Sequence, residues 1–422
     1  MLDFSVFERD LRDLIAQKSV KGKKEGDMPF GAGVFGALEA FLNIARKMGF
    51  KTLNYDNYMG EIVYGAGEEV GVIGHVDVVP VGDGWNTDPF ILTEKNGVYY
   101  GRGTSDDKGP MLVTLYALKA LKDSGVHCNK KIRFFVGTDE ETAWEDVDYY
   151  KKEHSFPKYG FSPDGKFPVV YAEKEMLHLT FKIPKLKNFS SVTGGTVFNA
   201  VCGRVRAKSE LPADRALLKK HELTIDKEGY IESVGISCHA SVPEQGKNAM
   251  LSMFEYFADC GEDIKNVIDC LFKDKFGVKS IENEQGRVTF SPDIIRETEN
   301  GIEIVCDCRI PAPVKTEDLI PIFDKFGIEY TYVKHRGSLL TDKNGEFIQT
   351  LLKSYNQTTG EKGEPISMGG GTFAYVFEQG CAFGPEFEGE KTCDHEANEF
   401  ISKEKLATLY EIYKKALFDL VK

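Results

Sequence analysis

Five residues of metal-ligand type stand in the chain, each inside a short motif: His75 in GHVDVVP, Asp106 in YGRGTSDDKGP, Glu141 in GTDEET, Asp164 in FSPDG and His395 in CDHEANE. Two imidazoles and three carboxylates suit a pair of divalent, zinc-like ions that share one bridging aspartate. Glu140 and Glu141 are consecutive, so their side chains diverge, and one can ligate while its neighbour faces a bound water. Metal-assisted hydrolysis needs that division of labour. The ions acidify and orient water, and a carboxylate outside the ligand set takes the proton and passes it to the leaving amine. Paired glutamates are also common on plain surfaces, but directly after the apolar run IRFFVG the chemical reading is the stronger. The pattern is that of a two-metal hydrolase.

His75-Val76-Asp77 adds a supporting layer. Residues two apart on an extended segment point the same way, so the Asp77 carboxylate is expected to accept the second ring N–H of His75 and fix its tautomer. A histidine near a strand end is, taken alone, more often structural than a ligand. Asp106 and Asp107 lie in a glycine-rich turn before a helix, where two acids can equally well cap that helix. A bridging carboxylate needs a tight turn that reaches between two ions. Gly101, Gly103 and Gly109 permit such a backbone, with Asp107 in support.

These residues must be positioned by regular elements. Apolar spacing predicts helices near 4–17, 33–48, 109–123, 345–356 and 403–420, and β-rich runs at 61–64, 69–75, 132–138 and 168–172. Strands alternate with helices, so the fold class is α/β with a mostly parallel central sheet. GHVD follows the run EVGVIG and TDEET follows KKIRFFVG, which puts both beyond the carboxyl ends of strands, where open α/β sheets place their sites. From 177 to 337 the texture changes. Short strands at 177–183, 203–207, 285–291, 302–309 and 328–333 are interleaved with helices at 213–220, 248–259 and 316–326, and no candidate ligand falls there. That interval reads as an inserted α+β domain, leaving a metal-binding domain built from 1–176 and 338–422. The Gly- and Lys-rich stretch KGKKEGDMPFGAG at 21–33 reads as a surface loop.

Composition excludes several classes of function. A net charge of −13 argues against a nucleic-acid or anionic-membrane partner and leaves a small peptide or other small molecule as the natural substrate. No apolar run approaches the ~20 residues of a membrane span, and MLDFSVFERDLRDLIAQKS carries acids where a signal peptide carries bases, so a cytoplasmic location is expected. The nine cysteines are scattered without CxxC pairs, which indicates reduced packing residues; Cys306 and Cys308 share one face of a strand. His127, His154, His178, His221 and His335 lie in polar or irregular surroundings and receive no role.

The motifs GHVDVVPVGDGWNTDPF, YGRGTSDDKGP, GTDEETAW, FSPDGKFP and GGGTFA resemble those of the dinuclear zinc peptidases of metallopeptidase family twenty, and most of all its bacterial dipeptidase V branch, from about residue 5 to 420. The resemblance implies that one metal takes His75, Asp106 and Asp164 and the other takes Asp106, Glu141 and His395. It implies that Asp77 orients His75, that Glu140 is the general base and acid, and that the Asp106–Asp107 peptide is cis. In this family the inserted domain is a lid over the substrate. His239 in SCHASVP resembles the lid histidine that polarises the scissile carbonyl, and Asn199 in TVFNAV matches a residue with a similar task. Arg309 in CDCRIP resembles the arginine that forks onto the substrate's terminal carboxylate, the alternative being a strand-end salt bridge. Gly370 and Gly371, in GGGT ahead of a helix, would cradle the same carboxylate with backbone N–H groups, or simply start the helix. The acids in GPEFEGEKT depart from the pattern and leave the preferred side chains open.

The expected function is hydrolysis of unblocked dipeptides by a metalloprotease of dipeptidase type with two divalent ions, zinc first, with manganese or cobalt accepted by the same ligands. The alternatives are an amidohydrolase of the same fold, such as a deacylase or desuccinylase of N-acyl amino acids, and a catalytically inactive binding relative. The stretches 177–259 and 285–333 are expected to form two lobes, so that one chain does the work of two lids and the protein is a monomer rather than a dimer.

Overall fold

The structure, a computed structural model, describes every residue from Met1 to Lys422. The chain divides into two compact units, one of Met1–Tyr171, Leu339–Ile366 and Thr372–Lys422, the other of Ala172–Ser338 and Ser367–Gly371. The second begins at Ala172 rather than 177. It also takes in Ser367–Gly371, which the sequence reading puts with the metal ligands. Hydrogen bonds account for that return: the Lys174 N–H donates to the Met368 carbonyl at 3.2 Å, and the Ser367 hydroxyl donates to the Gln285 carbonyl at 3.2 Å.

In the first unit a mixed sheet carries four parallel strands at its centre, Lys130–Gly137, Glu68–His75, Tyr159–Ser162 and Gln379–Ala382 in that spatial order. The flanks are antiparallel: Met59–Gly65 lies beside Lys130–Gly137 and carries Lys51–Tyr55, while Val170–Glu173 lies beside Gln379–Ala382. The expected parallel sheet is therefore its core, closed by hairpin-type edges. Glu68–His75 is buried along its last six residues, which is how a central parallel strand with both faces covered reads in sequence. Its packing is close. A Cβ at Gly71 or Gly160 would lie 2.2 or 2.5 Å from the Phe377 ring. Helix Ala32–Lys47 buries Val34, Ala37, Leu38, Phe41, Leu42 and Ala45, a stripe at three- and four-residue spacing. Helix Lys403–Leu420, whose first turn is capped by the Ser402 hydroxyl on the Lys405 N–H, packs on Lys108–Asp123 and Glu346–Thr359. No helix is long and apolar enough to cross a membrane.

The second unit is built on one eight-stranded antiparallel sheet covered by helices such as Ala249–Asp259 and Thr316–Asp324. Its strands form two halves, joined where Thr193 and Gly194 pair with Arg296 and Ile295. One half holds Phe189–Gly194, Arg204–Ser209, Ile231–Val234 and Thr224–Ile225; the other holds Thr289–Thr298, Gly301–Ile310, Glu175–Ile183 and Glu329–Arg336. The two expected lobes are thus halves of a single sheet with a single core. Glu175–Ile183 crosses into the second half because Gly301–Ile310 and Glu329–Arg336 bond to its two edges.

Candidate metal centre

His75 is the last residue of its strand, Asp139–Glu141 follow Lys130–Gly137, and Asp164 follows Tyr159–Ser162, so three neighbouring parallel strands deliver candidate ligands at one end of the sheet. Asp106 comes from the turn before helix Lys108–Asp123. His395 comes from a turn in which its own φ is +64° and the Glu396 N–H donates to the Cys393 carbonyl at 3.1 Å.

Asp106 stands between the two histidines. Its Oδ1 lies 3.0 Å from His75 Nε2 and its Oδ2 lies 3.0 Å from His395 Nε2. The outer side of each imidazole has its own carboxylate: Asp164 Oδ2 is 3.6 Å from His75 Nε2, and Glu141 Oε2 is 3.1 Å from His395 Nε2. Two donor sets therefore share Asp106. The groups His75, Asp106, Glu141 and His75, Glu140, Asp164 also each bring one ligand atom within 4.8 Å of the others, so Glu140 borders the set that holds Asp164.

The electrostatics fit a divalent cation. Burial works against charge on His75 and His395, but the carboxylates against them prevail, raising His75 well above its ordinary value and His395 to about 11. Burial also works to raise Asp106, yet the hydrogen bonds of His395 and His75 outweigh it and hold that carboxyl low. For Glu141 burial and the charge of Asp106 act together and push it up to about 7. Crowded carboxylates with nitrogen donors between them form a negative field that a hard or borderline cation would neutralise.

Several polar contacts hold this arrangement. His75 Nδ1 lies 3.0 Å from the Asp77 backbone carbonyl, which can only accept, so Nδ1 carries a proton, and Nε2, the nitrogen that faces Asp106, is the one a cation would take. The Asp77 carboxylate, expected in that place, is 3.5 Å away and accepts the backbone N–H groups of Glu140 at 3.2 Å and Glu141 at 3.1 Å. The carbonyl rather than the side chain falls against the ring.

Asp107 occupies the N-cap position but caps nothing; its Oδ2 accepts the His75 N–H at 3.3 Å. Gly74 makes room for it, since a Cβ there would lie 2.2 Å from Asp107 Oδ2. The Asp106–Asp107 peptide is cis. Lys108 is buried and donates to the Leu14 and Gln17 carbonyls at 3.1 and 3.0 Å, so it anchors the turn to helix Phe4–Ile15. Lys21, from the expected surface loop, pairs with Asp139 at 2.8 Å and Glu145 at 2.9 Å and ties that loop to the glutamate turn.

The substrate-binding candidates all lie in the second unit. His239 and Asn199 are neighbours there: Ala200 bridges to His239, and the Ala240 N–H donates to the Asn199 carbonyl at 2.8 Å. The exposed His239 accepts the Ser241 N–H at Nδ1, 3.2 Å, with the Ser241 hydroxyl 2.7 Å from the same atom, which leaves its proton on Nε2. Arg309 is buried, and its Nε and Nη2 fork onto Asp307, two residues back on the same strand, at 2.8 Å each. Its Nη1 edge reaches the Gly369 carbonyl at 3.3 Å. The glycine run does not start an α-helix. A four-residue 3₁₀ turn, Phe373–Val376, follows it, and the Gly369 and Gly371 carbonyls accept from Arg309 and Arg336. Two carbonyls of the GGG run thus face guanidinium groups.

Two residues outside the sequence reading belong to the site. Glu399 and Arg102 are both buried and pair at 2.8 Å beneath the Asp106 turn. Glu399 lies inside the quoted motif CDHEANE, but its partners are set by a fold contact across most of the chain, which spacing cannot supply. All nine cysteines are free. Of the histidines without a role, His178 and His335 lie ring to ring at 4.2 Å beside Asp307, and His221 is 2.7 Å from Asp259.

A parallel core with paired histidine and carboxylate sites at its carboxyl end is the build of a metallohydrolase. Residues 71–419 match the model of peptidase family M20/M25/M40, and the chain belongs to that family. It is 33% identical to the Beta-Ala-Xaa dipeptidase of Lactobacillus delbrueckii subsp. lactis, over 98% of this chain and 96% of that protein. Its fold is that of aminopeptidase PepT from Bacillus cereus ATCC 10987, with a TM-score of 0.63 at 15% identity and full coverage of both chains. It is likewise that of the dipeptidase Dug1p from Saccharomyces cerevisiae, with a TM-score of 0.61 at 14% identity over 98% of this chain and 95% of that one.

Proposed function

We propose that the protein is a cytoplasmic metallopeptidase that hydrolyses unblocked dipeptides with two divalent ions, zinc first, held by His75, Asp106 and Asp164 on one side and by Asp106, Glu141 and His395 on the other. The observation that carries this reading is the Asp106 carboxylate, with one oxygen at 3.0 Å from each of two histidines that have separate outer carboxylates. Bound ions would supply acidification of a water molecule and polarisation of the scissile carbonyl.

The chain's own residues do the remainder. Glu140, buried and fixed through its backbone by Asp77, receives the water's proton on a carboxylate oxygen and hands it to the leaving amine. The Asp77 carbonyl keeps the His75 proton on Nδ1 and so keeps Nε2 available as a donor. The second unit acts as the lid. Its His239 presents an Nε2–H to the developing oxyanion, with Asn199 beside it. Arg309, braced by Asp307, offers its Nη1 edge to the substrate's carboxylate, next to Gly370 and Gly371. The name of the Lactobacillus relative favours dipeptides over acyl amino acids as substrates.

The test is a panel of free dipeptides, including β-alanyl ones, assayed beside N-acetyl and N-succinyl amino acids after metal removal and reconstitution. Turnover confined to dipeptides is the expected result. Turnover of the acyl amino acids alone would replace the proposal with a deacylase, and no turnover with any metal would leave a binding protein.

A further inference from the structure

Glu399 is fully buried, and its carboxylate gathers the turn that carries Asp106. Its Oε1 accepts backbone N–H groups from Gly103 at 3.0 Å, Ser105 at 2.8 Å and Asp106 itself at 3.1 Å. Its Oε2 accepts Arg102 Nη1 at 2.8 Å, and its backbone carbonyl accepts the Gly101 N–H at 3.1 Å. Arg102, also buried, lies with its guanidinium 5.3 Å from the Trp85 ring centroid and turns Nη2 toward the Pro80 and Val81 carbonyls, each at 3.4 Å.

Three ligand-bearing segments meet at this pair. The stretch after His75 is held through Pro80 and Val81, the Asp106 turn through its N–H groups, and the His395 turn through Glu399, four residues further on. Burying two charges is costly unless they are paired and hydrogen-bonded. A hydrophobic pair of similar volume would fill the space as well but could not fix the direction of three N–H groups. The arrangement therefore specifies geometry more than it adds stability.

We propose that Glu399, braced by Arg102, is a positioning residue that holds Asp106 at equal reach of His75 and His395 and thereby sets the affinity of the site for its metal ions. The proposal rests on the reading of Asp106 as the shared ligand. Outer partners of metal ligands are typically worth about 10–100-fold in metal affinity, and here one carboxylate serves the ligand that both ions would share.

The experiment measures binding of cobalt(II) to the metal-free full chain by titration and by its visible absorption, at a temperature well below melting, for wild type, Glu399→Gln, Arg102→Lys and Glu61→Gln. The last breaks a pair between buried Glu61 and partly buried Arg133, at 2.6 Å, away from the ligands. Glu399→Gln is expected to weaken cobalt binding by about 10-fold or more with an altered absorption band. Arg102→Lys should move both in the same direction, and Glu61→Gln should lower the melting temperature while leaving both unchanged. Cobalt affinity and spectrum in the two site variants indistinguishable from wild type would overturn the proposal, as would equal weakening by Glu61→Gln. If Glu399→Gln does not fold, Arg102→Lys alone decides between these outcomes. A wild-type chain that binds no cobalt at all would instead bring down the metal reading on which this inference stands.

Discussion

Asp77 Oδ2 accepts the backbone N–H of Glu141 at 3.1 Å, while Oδ1 of the same carboxylate accepts that of Glu140 at 3.2 Å. One buried side chain thus fixes the turn that carries both the proposed ligand and the proposed base. Asp77→Ala is expected to loosen that turn and to weaken metal binding by about 10–100-fold, with turnover falling in parallel. Titration with a competing chelator, beside a far-ultraviolet spectrum to establish folding, is the check.

The two adjacent glutamates should separate cleanly. Glu140→Gln is expected to retain its metal while turnover falls by about 10²-fold or more, because proton transfer is lost and the donors remain. Glu141→Gln should lose metal as well as activity. Metal content by elemental analysis on both variants decides; the reverse pattern would exchange the two roles.

Removal of metal with a chelator should abolish activity, and zinc, manganese or cobalt should restore it. Metal should also raise the melting temperature, because ions that bind only the folded chain add about 2.7 kcal/mol at a free concentration of 100 times Kd. Calorimetry across a metal titration reads this, and a melting temperature that ignores metal would contradict the site.

Arg309→Lys should raise KM, since a point charge replaces a planar fork and also surrenders part of the grip on Asp307. His239→Ala should chiefly lower kcat. With a monomer proposed, mixing inactive His239→Ala with inactive Glu140→Gln protein should restore nothing. Recovered activity on mixing would mean that the histidine serves a neighbouring subunit.

Partly exposed His335 provides a pH test within the second unit. Burial, then the neighbouring charges of His178 and Arg336, lower it from 6.5 to about 4. Between those values the unfolded chain binds more protons than the folded one, so stability falls as pH falls through that window. Urea unfolding at a series of pH values should show this slope, and His335→Gln should flatten it.

The framework of the first unit is legible in the sequence because its signals are local. Helix Lys403–Leu420 and strand Glu68–His75 follow from apolar spacing, and the five candidate-ligand motifs bracket the residues that come together around Asp106. What escaped was pairing between distant segments. Asp77 turns a carbonyl rather than a carboxylate to His75, a detail of backbone path that alternation cannot convey. The Arg102–Glu399 pair and the crossing of Glu175–Ile183 into the far half of its sheet are likewise register facts, invisible until the strands are laid side by side. Short edge strands such as Lys51–Tyr55 were missed because five half-exposed residues carry almost no periodic signal.

The donors around Asp106 are drawn from segments separated by most of the chain, His75 early and His395 late. During synthesis, domains begin to fold from the amino end as they emerge, yet the second donor set here cannot close until the segment bearing His395 has been made and has docked. A growing chain would carry the strand, the turn and the proposed base long before it carried a complete centre. Peptide-cleaving power would therefore arrive as nearly the last event of folding, and an incompletely made or misfolded copy would be harmless to the peptides around it.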